Sequence, residues 1–276
     1  MSSSKSFVPT QYTTTTADNL KITQTPSDAK YGDLDDDGVP DIPIGRFPVR
    51  TTTELANIVE KIRDYEAREG YAGRILMAAD QADNGNGVSF TGDAISLIET
   101  IPGDWAGALR TDYRAFPDYE DASSARNKIF AAINAGVSVT AYMGHSSRVG
   151  WSNSSPKLLQ RNDIAAFTNI DKPTVVTQWG CWNTYFVDPR GNSMAETFMN
   201  NGLNGAATVL GASTLTKAAS EFLLAMELNK FLYNEGEPIG TAVIKAKQSL
   251  ARIEPSASDV LLGWQILGDP ALVINH

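Results

Sequence analysis

Two of the rarest side chains in this 276-residue chain each follow a glycine at the end of an apolar segment. The only cysteine, Cys181, comes after Gly180 in "TVVTQWGC", and His145 comes after Gly144 in "VSVTAYMGH". A thiol beside an imidazole is a nucleophile beside a base, which is the minimum for covalent acyl transfer. A lone cysteine is more often a small buried hydrophobe, so a catalytic role depends on the fold bringing the two residues together.

The elements around these residues alternate between strand and helix patterns. Predicted strands cover 74–80, 137–143, 174–179 and 206–212, and predicted helices cover 51–70, 92–101, 123–136, 162–169, 193–201, 218–234 and 239–253. Nearly all-apolar strands that alternate with helices indicate an α/β fold with a parallel sheet covered on both faces. Ligands bind outside the carboxyl ends of such strands, and the 36 residues between His145 and Cys181 (181 − 145) suit one strand–helix–strand crossover. We therefore expect both side chains in one crevice.

Composition narrows the classes of function. The formal net charge of −9 argues against a nucleic-acid partner, because a phosphate-binding surface needs clustered Lys and Arg. No apolar run approaches the ~18 residues of a membrane span, and the first thirty residues lack the apolar core of a signal peptide. We predict an irregular N-terminal arm over 1–30, rich in Ser, Thr and Asp, and one globular domain over 31–276.

Several ordered segments resemble the gingipain-like cysteine peptidases of family C25, in the caspase-fold clan. They are "YGDLDDDGVPDIPIGRFPV", "KIRDYE", "YMGHSSRVGW", "VTQWGCWNTYF", "SMAETF", "GAATVLGAST" and "WQILGDPALVI". The resemblance implies a caspase/gingipain-like, mostly parallel sheet in a three-layer α/β/α arrangement. It also implies a cysteine endopeptidase in which Cys181 is the nucleophile and His145 the general base and acid.

The resemblance further implies an oxyanion hole made of the backbone N–H groups of Cys181 and of the residue after His145. That residue is usually glycine in the family and is Ser146 here, which keeps the N–H but adds a side chain. Asp80, which closes "RILMAAD", matches the family's acidic residue near the histidine. The alternatives for Asp80 are a helix cap or a solvated turn. Glu196 also matches a family pattern, although a glutamate in the first turn of a helix is more often structural.

The family's determinant of arginine specificity is absent from the expected place. Arginine-specific gingipains carry an aspartate in the loop after "ADNG", where this chain has Val88, and they carry a tryptophan where it has Ala219. We therefore expect a P1 preference that is not strictly Arg and is apolar; a basic preference would instead implicate Asp83 or Asp93. The candidate pocket residues are Val88, Trp151, Trp182 and Asn183.

An acidic segment, "DLDDDGVPD", has the pattern of a calcium loop. Carboxylates at positions 1, 3, 5 and 9 with glycine at position 6 suit a wrapped Ca²⁺ ion, although position 12 is Ile44 rather than glutamate. The alternative is a solvated acidic turn. The chemistry at Cys181 requires no cofactor, so this ion would be structural. The candidate ligands are Asp33, Asp35, Asp37 and Asp41.

Two other functions remain open at this stage. A sortase-like transpeptidase of the same family would use the same residues and differ only in its acyl acceptor. A catalytically silent member would act as a binding or secretion module, although it would have no need of both Cys181 and His145. The resemblance implies a protein or peptide substrate and an extracellular or cell-surface location. It also leads us to expect either a reduced family member or the catalytic half of a longer precursor, with an N-terminal prosegment or further domains.

Overall fold

The computed structural model describes residues 7–15, 22–67, 73–103, 110–114, 122–153 and 155–274. The strands are β1 Tyr12–Thr14, β2 Gln24–Pro26, β3 Gly45–Arg46, β4 Ile75–Ala79, β5 Arg110–Arg114, β6 Val139–Met143, β7 Ser146–Ser147, β8 Gly150–Trp151, β9 Leu159–Gln160, β10 Thr174–Trp179, β11 Ala206–Ala212 and β12 Trp264–Leu267. The helices are α1 Thr52–Ala67, α2 Phe90–Glu99, α3 Ala122–Ala135, α4 Met194–Met199, α5 Ala218–Asn229, α6 Ile239–Ile253 and α7 Ser258–Leu261. A π-helical turn, Lys230–Asn234, extends α5, and 3-10 turns cover Ala29–Tyr31 and Arg161–Ala166.

A seven-stranded sheet in the order β3-β12-β11-β10-β6-β4-β5 forms the centre of the fold. All neighbouring strands run parallel except β11 and β12, which are antiparallel. Every residue of β4, β6, β10 and β11 is buried, as expected of strands covered on both faces. The predicted α/β class is therefore confirmed, while the antiparallel β12 and the short β3 add to the predicted strands.

The helices form two layers on opposite faces of this sheet. On one face α2 and α6 each contact α5, and α2 and α5 contact the central strands. On the other face Lys61 of α1 donates to carbonyl groups at the end of α4, and the rings of Phe130 of α3 and Phe198 of α4 both pack on Phe167. No helix in the described ranges is long and apolar enough to cross a membrane.

Two local predictions differ from the structure. The helix predicted over 162–169 is a six-residue 3-10 turn, Arg161–Ala166, because the chain turns extended at Phe167, whose ring packs on α3 and α4. The arm predicted over 1–30 contains a β1–β2 hairpin, and its last part is integral to the core. Ser27 Oγ donates to the Leu262 carbonyl at 2.6 Å, and Asp28 forms a buried ion pair with Arg46 at 2.6 Å.

Candidate active site

The carboxyl ends of β6 and β10 lie side by side at the middle of the sheet. Met143 pairs with Trp179 in the parallel register, and the Gly144 N–H donates to the Trp179 carbonyl at 3.0 Å. A Cβ atom on Gly180 would lie 2.2 Å from the Gly144 carbonyl oxygen, so the two turns touch backbone to backbone. His145 and Cys181 each follow one of these glycines, and the fold thus brings their two loops together at one edge of the sheet.

The His145 ring is oriented by a carboxylate and an aromatic ring. Its Nε2 atom lies 2.8 Å from Asp83 Oδ2, and the Phe90 ring packs edge-on at a centroid distance of 5.1 Å. A carboxylate only accepts hydrogen bonds, so Nε2 carries a proton, and in the neutral ring Nδ1 holds the basic lone pair. The arrangement supplies a base with a defined tautomer.

Asp83 belongs to a tight loop that fixes its carboxylate. Asn86 Nδ2 donates to Oδ2 at 2.6 Å, and the Gly85 N–H donates to Oδ1 at 3.1 Å. These hydrogen bonds, led by Asn86 and followed by His145, lower the pKa of Asp83 and keep it ionised. A β-bridge joins Asp83 to Val88 across the loop, so Val88 lies beside the histidine's partner.

Asp80, the acid expected near the histidine, lies close by, whereas the hydrogen bond of the His145 ring goes to Asp83. Asp80 is buried, accepts the Gln81 N–H at 2.9 Å, and lies 3.5 Å from the Tyr142 hydroxyl. Burial raises the pKa of Asp80, and the hydrogen bonds and the nearby His145 oppose that shift. Both acids line a cleft of about 390 Å³ with Gln81, Ala82, His145, Ser152 and Asn153.

The Cys181 sulfur packs against Thr216. Sγ lies 3.5 Å from the Thr216 N–H, 3.6 Å from its carbonyl oxygen and 3.7 Å from its hydroxyl. Burial, and then the charge of Glu221, raise the pKa of the Cys181 thiol, and the Thr216 contacts act in the opposite direction. The resting cysteine is therefore a thiol and needs a base to become a nucleophile.

Glu221, in the first turn of α5, is a buried acid that the sequence reasoning did not single out. Burial raises its pKa to about 8, against the opposing contacts of the Thr216 side chain and the Gly180 N–H. Its Oε1 atom is buried, with no hydrogen-bond partner in the described part of the chain. A glutamate in the first turn of a helix is usually predicted from the sequence to be exposed to solvent. Only the folded structure shows that Glu221 is buried beside the Cys181 loop.

Ser146 and Asn183 bind the backbone of the cysteine loop. Ser146 Oγ donates to the Cys181 carbonyl at 2.6 Å, and Asn183 Nδ2 donates to the Gly180 carbonyl at 2.6 Å. The Ser146 side chain therefore contacts the carbonyl group of Cys181 itself.

The four predicted pocket residues fall into different environments. Trp151 is fully buried, stacks on Tyr142 at 4.5 Å and donates to Gln178, so it is a core residue rather than a pocket wall. The Asn183 side chain is also fully buried and serves the loop backbone. Only Val88 and Trp182 are partly exposed.

The remaining acidic candidates lie away from the crevice residues. Glu196 caps α4 through Ser193 and forms an ion pair with Arg50 at 2.7 Å, which is a structural role. Carboxylate oxygens of Asp33, Asp35 and Asp37 lie within 4.8 Å of one another, as calcium ligands would. Asp41 instead accepts the Leu34 N–H at 2.8 Å and is not part of this cluster.

A mostly parallel sheet that presents Gly–His and Gly–Cys turns at neighbouring strand ends defines a caspase-like α/β fold. The chain belongs to peptidase family C25, whose family model matches residues 1–275. The fold is similar to the Arg-specific cysteine proteinase gingipain R (RgpB), with a TM-score of 0.77 and 17% identity over 91% of this chain and 60% of that chain.

The fold is also similar to a complex of the Porphyromonas gingivalis RgpB pro- and mature domains, with a TM-score of 0.75 and 19% identity over 90% of this chain and 60% of that one. A further structure, described as a protease, matches with a TM-score of 0.78 and 17% identity over 91% and 60%. This chain thus spans 60% of the length of each of these structures. No curated protein matches it.

Proposed function

We propose that this chain is a cysteine endopeptidase in which Cys181 is the nucleophile and His145 the general base and acid. The observation that carries the proposal is the close contact between the Gly144 and Gly180 turns, since the residues that follow them are the only cysteine and a histidine whose Nε2 is held by Asp83. Membership of a peptidase family supports the same chemistry.

The reaction follows from these groups. His145 Nδ1 removes the thiol proton as Sγ attacks the substrate carbonyl carbon, and Asp83 stabilises the imidazolium that forms. The carbonyl oxygen becomes an oxyanion, which the N–H groups of Cys181 and Ser146 stabilise. The imidazolium then protonates the leaving amine as the C–N bond breaks, which leaves a thioester. Water, deprotonated by His145, hydrolyses the thioester and restores the thiol.

The test combines thiol labelling with turnover. Wild type, Cys181→Ala and His145→Ala are treated with iodoacetamide and with a peptide library. We expect wild type to cleave peptides and to be labelled at Cys181 at a rate that falls in His145→Ala. Labelling at equal rates with and without His145, and no cleavage, would falsify the dyad. Addition of an amine acceptor distinguishes hydrolysis from transpeptidation, since only a transpeptidase diverts most product to the amide.

We propose an apolar rather than strictly basic P1 preference. Val88 stands at the position of the arginine-binding aspartate, and the neighbouring Asp83 carboxylate is already engaged by His145 and Asn86. The peptide library reports this preference directly. Dominant cleavage after Arg or Lys would contradict the proposal.

We propose a structural Ca²⁺ site formed by Asp33, Asp35 and Asp37. Asp33 is nine-tenths buried, and its Oδ1 atom has no hydrogen-bond partner among the described residues. Gly38, with φ at +87°, makes the turn that closes the loop. Calcium titration after chelation should release heat and raise the Tm in wild type but not in Asp33→Asn. Asp36→Asn, with the same charge change in the same loop, is the control, because Asp36 pairs with Lys30. No heat and no shift in wild type would contradict the site.

We propose protein or peptide substrates and an extracellular or cell-surface location. One similar structure pairs RgpB with its pro-domain, which supports a search for a covering prosegment here. The test is to identify the N-terminus and the compartment of the protein in its native cells. Recovery in the cell interior would contradict the location.

A further inference from the structure

The peptide group between Gly180 and Cys181 is held from one side only. Its carbonyl oxygen accepts Asn183 Nδ2 at 2.6 Å, whereas the Cys181 N–H donates to no protein acceptor in the described part of the chain. A trans peptide is planar, with its C=O and N–H pointing in opposite directions. The hydrogen bond on the carbonyl therefore fixes the direction of the unbound N–H.

Asn183 is itself fixed by its surroundings. Its amide nitrogen also lies 3.1 Å from Ser146 Oγ, and its Oδ1 is buried with no partner among the described residues. The nitrogen must face the Gly180 carbonyl, because a flipped amide would set two oxygens against each other. A Cβ atom on Gly211 of β11 would lie 2.1 Å from Asn183 Oδ1, so the neighbouring strand leaves just the space this amide occupies.

Ser146 joins the same network from the histidine loop. Its hydroxyl donates to the Cys181 carbonyl at 2.6 Å and accepts from Asn183. The Trp182 N–H donates to the Thr214 carbonyl at 2.9 Å, so the Cys181–Trp182 peptide group is held at both ends. These contacts support the left-handed φ of +64° at Trp182, which is a strained conformation for tryptophan.

We propose that Ser146 and Asn183 are positioning residues that aim the Cys181 N–H at the oxyanion of the reacting carbonyl. The inference rests on the proposed peptidase function and extends it to the alignment of the oxyanion hole. Ser146 has a special place in this arrangement. Its backbone N–H is the second proposed donor, and its hydroxyl accepts from the Asn183 amide, which in turn holds the Gly180–Cys181 peptide group that carries the first donor.

The test separates the oxyanion hole from the nucleophile. Alkylation by iodoacetamide requires an active thiolate but forms no oxyanion. Hydrolysis of the best-cleaved library peptide, and reversible inhibition by its aldehyde, both form a tetrahedral centre that draws on the N–H donors. Loss of a positioning residue should therefore slow peptide hydrolysis and weaken the aldehyde, and leave the rate of alkylation unchanged.

Ser146→Ala and Asn183→Ala remove the two side chains, and Ser146→Thr keeps a hydroxyl. Ser147→Ala is the matched control, because, within the described part of the chain, the Ser147 hydroxyl hydrogen-bonds only to the Gly150 carbonyl and the Val149 N–H of its own hairpin. Ser146 is half-buried, so its alanine variant should fold even if the variant of the buried Asn183 does not. Tm values establish folding for each variant.

We expect Ser146→Ala to lower kcat by about tenfold and to weaken the aldehyde similarly, with KM and the alkylation rate unchanged. Ser146→Thr should recover most of the loss, and Asn183→Ala should lose more than Ser146→Ala. Equal kcat in Ser146→Ala and wild type, or parallel losses of kcat and alkylation, would overturn the inference while the peptidase function stands. A wild type that cleaves no library peptide would instead contradict the function and overturn the inference with it.

Discussion

His145 Nε2 lies 2.8 Å from Oδ2 of Asp83, a residue that belongs to neither the His145 loop nor the Cys181 loop. The partner of the histidine therefore comes from the loop between β4 and α2, held by its own hydrogen bonds to Asn86 and Gly85. The Asp83 loop is thus a third segment beside the His145 and Cys181 loops, and we expect its effect on rate to be separable from its effect on stability.

Asp83→Asn should lower kcat by about 10²-fold with little change in Tm, because it removes the charge that stabilises the imidazolium. Asp80→Asn is the comparison. Asp80 is buried against Tyr142 and the Gln81 N–H, so its substitution should affect Tm at least as much as kcat. Steady-state kinetics and thermal melts of both variants decide the matter. A larger kcat loss in Asp80→Asn at unchanged Tm would assign the orienting role to Asp80 instead.

Glu221→Gln should shift the pH profile of Cys181 alkylation to lower pH. The Glu221 carboxyl, with its pKa near 8, becomes negative as the pH rises through that value, and this charge raises the pKa of the Cys181 thiol. Glutamine keeps the shape and removes the charge. The measurement is the iodoacetamide rate from pH 6 to 10 in both proteins. Superimposable profiles would show that Glu221 does not act on the sulfur.

Gly180→Ala should destabilise the protein by about 1–3 kcal/mol and reduce activity sharply, because the new Cβ would press on the Gly144 carbonyl. Both glycines directly follow central strands of the sheet, so the backbone at this contact has little room to move. Gly103→Ala is the control, since a Cβ there meets no atom of the described residues within 4 Å. Denaturant unfolding of the two variants should differ accordingly, and equal stabilities would contradict the close contact.

Lys247→Met should stabilise the protein most at pH 7 and below. Burial lowers the pKa of Lys247 to about 7 from an ordinary value of 10.5, so the unfolded chain binds more protons between these values. Wild-type stability attributable to this group therefore rises with pH across that window. The difference in free energy of unfolding between variant and wild type should shrink from pH 7 to pH 10. A difference in free energy of unfolding that stays constant with pH would argue against a lowered pKa at Lys247.

The approach of the Gly144–His145 turn to the Gly180–Cys181 turn was predictable because it depends on topology. A Gly–His and a Gly–Cys step after consecutive apolar strands must meet if those strands are parallel neighbours, and β6 and β10 are. The alternation of apolar strands with helices along the chain likewise predicted the central parallel sheet. The antiparallel β12 was missed because its short run "WQIL" carries too little periodicity to distinguish it from the loops around it.

The immediate environment of the two residues was less predictable, because it depends on loop geometry. Asp83 meets His145 only because its loop closes through Asn86 and the bridge to Val88. Trp151 looked like a pocket wall since it follows the histidine loop, yet the β7–β8 hairpin turns its ring back onto Tyr142. Neither outcome follows from residue type or spacing alone.

The position of β6 and β10 inside the sheet has a consequence for how the enzyme would lose activity. Amides in buried central strands exchange with solvent only on global opening, whereas exposed loops open far more often. Cys181 and the His145 backbone are anchored to the most cooperative part of the molecule, and Asp83 to an exposed turn. Heat should therefore separate two events: an early, fully reversible fall in rate as the Asp83 turn opens, and a later loss that coincides with the main unfolding transition.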